Sequence, residues 1–117
     1  MLEVKNVRCG YDNNEIIKGV SFNVEPGSNL CIVGPNGCGK STLLKSIANL
    51  LNYKGSILLN GKEISKFNRK DLAKNIALMS QASSIYFPYT VYETVSLGRY
   101  AHLKGVFSRM SKSDEEI

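Results

Sequence analysis

Cysteine, histidine and long apolar runs are scarce in this sequence, and each scarcity excludes a class of protein. The 117 residues include three cysteines, an odd number without a C-x-x-C pair, and one histidine. These residues predict neither a disulfide framework nor a zinc site, and a reducing compartment fits them best. No stretch approaches the length needed to span a bilayer, and the N-terminus lacks a basic start followed by an apolar run. Any role at a membrane would therefore depend on a partner protein.

Composition and charge describe one ordinary domain with a preference for anions. Apolar residues make up 43% and charged residues 21% of the chain, values typical of a globular domain. Fifteen Lys and Arg against ten Asp and Glu give a formal net charge of +5, which suits an anionic partner such as nucleotide phosphates. We interpret the cluster of basic residues between positions 62 and 74 as a solvated helix face, and we expect no nucleic-acid partner. The cluster comprises Lys62, Lys66, Arg69, Lys70 and Lys74.

The periodicity of apolar residues predicts an α/β chain. The segments LEVKNVRCGY and IIKGVSFNV alternate like half-buried strands, and the short apolar run LCIV, residues 30–33, is typical of a buried strand. The segment STLLKSIANLL has the spacing of a helix. Asn60-Gly61 between two short strand segments predicts a two-residue hairpin. Beyond it, SKFNRKDLAKN predicts a short helix, IALMS a strand and TVYETVSLGRY another helix.

A glycine-rich stretch, GPNGCGKST, lies between the predicted strand 30–33 and the first predicted helix. It matches the phosphate-loop pattern G-x-x-x-x-G-K-S in the strand-to-helix context that the pattern requires. The glycines let the backbone approach phosphates closely, while successive N–H groups and the helix N-terminus supply positive potential. Lys40 is expected to reach the β- and γ-phosphates, and the Ser41 hydroxyl to bind Mg²⁺. The predicted nucleotide site takes in the whole stretch: Gly34, Pro35, Asn36, Gly37, Cys38, Gly39, Lys40, Ser41 and Thr42.

The order of these signals resembles the ATP-binding subunits of ABC transporters over the whole chain. The resemblance implies that Tyr11, which precedes the second strand, stacks on adenine. It also implies that Gln81, after the strand IALMS, is the Q-loop glutamine that contacts Mg²⁺ and the attacking water. Without the family, Tyr11 is compatible with an ordinary strand-end aromatic and Gln81 with a surface amide. His102 precedes the place of the family's switch histidine, so we interpret it as a surface or packing residue.

The resemblance extends to a subfamily and to an organisation. TVYETVSLGRYAH is similar to the opening of the helical subdomain in importers of ferric siderophores, haem and cobalamin. This implies an ATPase that uses ATP and Mg²⁺ at the cytoplasmic face of the membrane, paired with a second ATP-binding subunit and with integral membrane permease subunits. A substrate-binding protein would act indirectly. The expected domain is the N-terminal part of one ABC-type ATP-binding domain, with the β portion, phosphate loop and Q-loop over residues 1–87 and the start of the helical subdomain over 88–117.

Several parts of the family's machinery have no match in the sequence. These are the LSGGQ-type signature, the Walker B aspartate with its catalytic glutamate, and the switch histidine. Asp71, Glu93 and the acids at 114–116 do not follow an apolar strand that would place a carboxylate beside Mg²⁺. We therefore expect an α/β P-loop nucleoside triphosphate hydrolase core with an N-terminal antiparallel β portion, truncated at the start of the helical subdomain, which binds ATP without hydrolysing it.

Two alternatives stay open at this point. A P-loop kinase or GTPase would share the phosphate loop, although such folds generally begin with the phosphate-loop strand, whereas two strands precede it here. A nucleotide-binding or assembly module that hydrolyses nothing would also account for the missing carboxylate.

Overall fold

Two compact units make up the chain in the computed structural model, which describes residues 1–12, 14–79 and 88–103. The first unit comprises Met1–Asn68, and the second begins at Arg69. The first unit contains a β-sheet and the longest described helix, while the second contains short helices. The expected change of subdomain between residues 87 and 88 stays a prediction.

An antiparallel sheet of four strands in the order β2-β1-β3-β4 forms the framework of the first unit. The strands pair because alternating apolar residues give each of them one face to bury. The predicted antiparallel β portion is thereby confirmed. The strands are β1 (Leu2–Tyr11), β2 (Asn14–Val24), β3 (Tyr53–Leu59) and β4 (Lys62–Glu63).

Helix α1 (Lys40–Ile47) packs on the sheet and closes the core of the first unit. Its residues Leu43 and Ile47 are buried, as are apolar side chains from the three long strands. The helical spacing read from the sequence is therefore the spacing of the face that α1 turns to the sheet. The buried residues contributed by the strands are Val4, Val7, Cys9, Ile17 and Ile57.

Helix α1 ends at Ile47, earlier than the apolar spacing through Leu51 predicts. Asn49 adopts a left-handed conformation with φ 55°. The N–H of Asn49 donates to the carbonyl of Ser46 at 3.0 Å, and the N–H of Leu50 donates to the carbonyl of Lys45 at 2.9 Å. These bonds form a Schellman motif, which satisfies the last carbonyls and turns the chain away. Asparagine at this position is a stop signal that apolar periodicity does not register.

The turn between β3 and β4 matches its prediction. Asn60 and Gly61 have φ values of 50° and 77°, both positive as a type I′ turn requires. Asn60 also accepts a hydrogen bond from the N-terminal ammonium group at 2.7 Å through its Oδ1 atom. The turn therefore connects β3 to β4 and anchors the start of β1.

Neither LCIV nor IALMS forms a strand, and both predictions are wrong for the described residues. Residues 30–33 lie outside the sheet, with Leu30 49% and Val33 83% exposed. Residues 76–79 are likewise irregular, and Met79 is 93% exposed. An apolar run becomes a buried strand only when a neighbour pairs with it. Within 1–12, 14–79 and 88–103, no strand pairs with either run.

The second unit contains α2 (Arg69–Ala73) and α3 (Val91–Ser96), which is followed directly by a 3₁₀ helix over Leu97–His102. Both predicted helices are present, although short. Helix α3 begins with a capping box, in which the N–H of Glu93 donates to Thr90 Oγ1 at 3.2 Å and the N–H of Thr90 donates to Glu93 Oε2 at 2.8 Å. The backbone and side-chain hydrogen bonds from Thr90 hold the pKa of Glu93 below its ordinary value.

The basic residues between positions 62 and 74 do not share one helix face, which corrects that interpretation. Lys62 is in β4, where its Nζ lies 4.3 Å from the centre of the Phe67 ring. Lys66 ends a 3₁₀ turn over Ile64–Lys66. Lys70 is in α2 and donates from Nζ to the Leu103 carbonyl at 3.1 Å. The chain changes direction between these residues, so they are distributed over separate elements.

Candidate nucleotide-binding site

The phosphate loop forms a backbone cradle at the start of α1. Gly37 and Gly39 have φ values of 81° and 98°, in the left-handed region that favours glycine. Gly39 is the N-cap of α1 and has no side chain to cap the helix. Its carbonyl accepts the first hydrogen bond of the helix, which the N–H of Leu43 donates at 2.9 Å. The N–H groups that come before Leu43 in the first turn of the helix have no acceptor within the helix. These donors, together with the helix dipole, attract an anion.

Lys40 adds a full positive charge to the cradle. Its Nζ donates to the carbonyl oxygens of Gly34 at 2.7 Å and Pro35 at 2.8 Å, and it lies 3.6 Å from Cys38 Sγ. These contacts bring the ammonium group back over the loop that precedes it. The ammonium group therefore places a positive charge against the backbone of the loop, next to the N-terminus of α1.

Ser41 and Thr42 occupy the first turn of α1, as predicted. Ser41 is exposed, whereas Thr42 is buried and its carbonyl accepts a bond from Ser46 Oγ at 3.1 Å. The Ser41 hydroxyl is thus open to a cation bound beside the phosphates, and oxygen is the ligand that Mg²⁺ prefers. Gln81, the other predicted magnesium ligand, lies outside the described residues. The cradle fits the phosphates of a nucleotide, and Ser41 fits Mg²⁺ as one ligand.

Tyr11 ends β1, where it pairs with Asn14 across the β1–β2 turn and is 43% exposed. The same end of β2 lies against the phosphate loop. A methyl group built on Gly39 would be 2.8 Å from Cγ2 of Ile16 and 2.7 Å from Cδ1 of Ile17. The fold thus brings the hairpin end that carries Tyr11 next to the cradle. Sequence reasoning identified Tyr11 only through the family, and it missed both isoleucines.

A surface cavity of about 800 Å³ lies at the β1–β2 turn and the start of β3, rather than over the phosphate loop. The position of this cavity does not bear on phosphate binding by the loop, because backbone N–H groups bind phosphates from an open surface without a deep pocket. The cavity is lined by Arg8, Cys9, Gly10, Asp12, Asn14, Glu15, Asn52, Tyr53 and Lys54.

The remaining titratable candidates belong to the second unit. Asp71 is in α2, with Oδ1 3.9 Å from Lys74 Nζ, and Glu93 caps α3. His102 is exposed at the end of the 3₁₀ helix, which agrees with its interpretation as a surface or packing residue. The acids at 114–116 lie outside the described residues. Asp71 and Glu93 thus have local structural contacts.

Bound Mg-ATP is expected to slow the alkylation of Cys38 several-fold. Cys38 is exposed within the loop, and phosphates resting on the cradle would cover its sulfur. The measurement is the rate of iodoacetamide labelling in a variant with Cys9 and Cys31 replaced by Ser. The same variant carrying Lys40→Ala serves as the control and should lose the protection. A labelling rate that does not respond to nucleotide would contradict this expectation.

Comparison with known proteins gives a consistent result along the chain. The family model for ABC transporters matches residues 17–117. The iron(3+)-hydroxamate import ATP-binding protein FhuC of Bacillus subtilis (strain 168) is 36% identical over 117 residues, covering 99% of this chain and 43% of that protein. The hemin import ATP-binding protein HmuV of Chelativorans sp. (strain BNC1) is 43% identical over 98 residues, covering 84% of this chain and 38% of that protein.

A solved structure, described as that of an ATP binding subunit of an ABC transporter, superposes with a TM-score of 0.79 at 27% identity. It covers 99% of this chain and 46% of that one. The chain spans about two fifths of the length of the two curated relatives, at 43% and 38%.

Proposed function

The chain belongs to the ABC transporter family, and from this premise we propose that residues 34–42 bind the phosphates of Mg-ATP while Tyr11 stacks on the adenine. The observation that carries the proposal is the placement of Lys40. Its ammonium group is bound to the carbonyls of Gly34 and Pro35 at the N-terminus of α1, so a side-chain charge and backbone donors act on one anion.

Each residue of the site has a distinct role in this proposal. Gly37 and Gly39 shape the backbone, Lys40 supplies the charge, and Ser41 supplies an oxygen to Mg²⁺. When bound, the ion would neutralise phosphate charge. Gln81 is proposed as a further contact to Mg²⁺ by its position in the family's pattern. Pro35, Asn36, Cys38 and Thr42 complete the loop.

We propose that the whole protein is the ATP-binding subunit of an importer for an iron-siderophore, haem or cobalamin. Two relatives are named for the import of iron(3+)-hydroxamate and of hemin, which supports the first two substrates. Such a subunit would pair with a second ATP-binding subunit and bind permease subunits at the cytoplasmic face of the membrane, with a substrate-binding protein acting indirectly. In the part of the chain that the structure describes, no helix is both long enough and apolar enough to cross a bilayer.

We further propose that these 117 residues by themselves bind Mg-ATP without turnover. Binding needs attraction to the phosphates as they stand, whereas hydrolysis needs additional stabilisation of the transition state and a group that orients water. The described candidates for such a carboxylate, Asp71 and Glu93, are engaged in local contacts of α2 and α3.

Calorimetric titration with Mg-ATP and Mg-GTP tests the binding proposal. We expect ATP to bind, with weak discrimination against GTP, because a stacked base presents no edge to the protein. A strong preference for GTP would favour the GTPase alternative.

Phosphate release measured on the same sample, beside Lys40→Ala, tests the proposal that the 117 residues do not turn over Mg-ATP. Hydrolysis that depends on Lys40 at rates typical of enzymes would overturn the absence of turnover and leave the binding proposal standing.

A further inference from the structure

The β1–β2 pairing contains a β-bulge at Ile16. Cys9 pairs with Ile17 and Gly10 pairs with Glu15, so the register passes over Ile16. Two residues of β2 therefore occupy the space of one on β1, which is the definition of a bulge. The bulge lies two residues from Asn14, the partner of Tyr11.

The bulge changes the direction of the Ile16 side chain. In a regular strand, successive side chains point to opposite faces, so Ile16 and Ile17 would not reach one neighbour. Here both do, since a methyl group built on Gly39 would lie 2.8 Å from Ile16 Cγ2 and 2.7 Å from Ile17 Cδ1. Ile17 is a core residue at 7% exposure, whereas Ile16 is only half-buried. The contact of Ile16 with the phosphate loop is thus a product of the bulge.

Gly10 makes the bulge possible on the opposite strand. A methyl group at Gly10 would lie 1.8 Å from the Asn14 carbonyl oxygen and 2.9 Å from the Ile16 N atom. Both contacts are with backbone, which cannot move aside as a flexible side chain can. The close approach of β1 to the bulged segment therefore requires glycine.

We propose that Ile16 is a positioning residue for nucleotide binding, whose Cγ2 methyl rests on Gly39 and fixes the spacing between the phosphate loop and Tyr11. This inference rests on the proposed function, since it assumes that phosphates bind the loop and the base stacks on Tyr11. One end of the bulged hairpin carries the base-stacking ring, and the bulge touches the loop. Bulges next to binding sites commonly re-aim a side chain in this way.

The role of Ile16 predicts a split between two ligands. The phosphate loop is held by its own contacts, including those of Lys40 with the Gly34 and Pro35 carbonyls. Loss of the Ile16 methyl should therefore leave the affinity of the loop for phosphates unchanged. A nucleotide spans the loop and Tyr11 and depends on their spacing, whereas inorganic tripolyphosphate contacts the loop alone. ATP affinity should therefore fall while tripolyphosphate affinity is kept.

Three substitutions isolate the Cγ2 methyl. Ile16→Val keeps it, Ile16→Leu has the same number of carbons without it, and Ile16→Ala removes it with most of the side chain. We expect Ile16→Leu and Ile16→Ala to weaken Mg-ATP binding about three- to tenfold, the range of one stacking contact. Tripolyphosphate affinity should stay within about twofold. Ile16→Val should behave as the unmodified chain, and Val24→Ala, at the other half-buried end of β2, is the control for general loosening of the strand.

The outcomes separate this role from a structural one. Circular dichroism establishes whether each variant folds. If Ile16→Ala does not fold, the comparison of Ile16→Leu with Ile16→Val is the test. Equal weakening of ATP and tripolyphosphate, or an Ile16→Val variant as weak as Ile16→Leu, would overturn the positioning role. So would full additivity between Tyr11→Ala and Ile16→Leu, because the methyl is proposed to act through the spacing to Tyr11. Absence of ATP binding by the unmodified chain would instead overturn the proposed function, and this role with it.

Discussion

Replacement of Lys40 by alanine is expected to weaken Mg-ATP binding by about 1.5 to 3 kcal/mol, a roughly 10- to 150-fold rise in Kd. The ammonium group is held over the phosphate loop by the carbonyls of Gly34 at 2.7 Å and Pro35 at 2.8 Å. Its removal leaves the backbone N–H groups of the cradle as the only described donors that we assign to the phosphates. Calorimetry at fixed ionic strength measures the change.

A matched control for this substitution lies on the same helix. Lys45 is an exposed residue in the last turn of α1, away from the loop. Lys45→Ala removes the same charge and should change the Kd by less than about twofold, because an exposed charge that makes no direct contact with the ligand is weakened by solvent and salt. Equal loss in the two variants would mean that net charge, and not the placement of Lys40, governs binding. Unchanged affinity in Lys40→Ala would mean that the loop does not hold the nucleotide.

Replacement of Glu63 by alanine is expected to lower the free energy of unfolding by about 2 kcal/mol at neutral pH. The Glu63 carboxylate accepts hydrogen bonds from the Tyr53 hydroxyl at 2.6 Å, the Ser56 hydroxyl at 2.6 Å and the Ile57 N–H at 3.0 Å. Its loss leaves three partly buried donors without their acceptor where β3 meets β4. Urea denaturation followed by circular dichroism measures the difference.

The contribution of Glu63 to stability should also depend on pH. Partial burial acts to raise the pKa of Glu63, but the hydrogen bonds from Ser56, Tyr53 and Ile57 and the charge of Lys66 outweigh it and hold that pKa below its ordinary value. A carboxyl whose pKa is lower in the folded state stabilises the fold above its unfolded pKa and loses that contribution as pH falls. The difference between the unmodified chain and Glu63→Ala should therefore be full above about pH 5 and shrink toward pH 3.

The matching effect on Tyr53 and a surface control complete this test. Burial, the hydrogen bond to Glu63 and the charge of Glu63 raise the pKa of Tyr53 well above its ordinary value, so its hydroxyl stays a donor throughout this range. Glu25 is an exposed carboxylate after β2, and Glu25→Ala should change stability by no more than about 0.5 kcal/mol at any of these pH values. A Glu63→Ala effect that is small or independent of pH would show that the carboxylate does not hold the two strands together.

Local chemistry explains which parts of the fold could be predicted. Alternation in LEVKNVRCGY anticipated β1 because one face of that strand is buried by α1, and Asn60-Gly61 anticipated the turn because few other pairs adopt two positive φ values. The strand predictions for the apolar runs at 30–33 and 76–79 were wrong, because an apolar run forms a buried strand only where a partner strand exists. Helix α1 ended early because the left-handed Asn49 closes it, which periodicity does not record.

The sequence by itself determined the phosphate loop, since its glycines, Lys40 and Ser41 act through backbone geometry and charge within nine consecutive residues. It also determined that β1 and β2 are strands and that a tight turn joins β3 to β4, because these features depend on near neighbours in sequence. Only the tertiary structure decided that β2 packs against the phosphate loop. The bulge at Ile16, the glycine opposite it and the contact of both isoleucines with Gly39 arise from the pairing of separate strands and the packing of α1 upon them. No local pattern specifies such contacts, because each depends on the register of a strand distant in sequence from the loop.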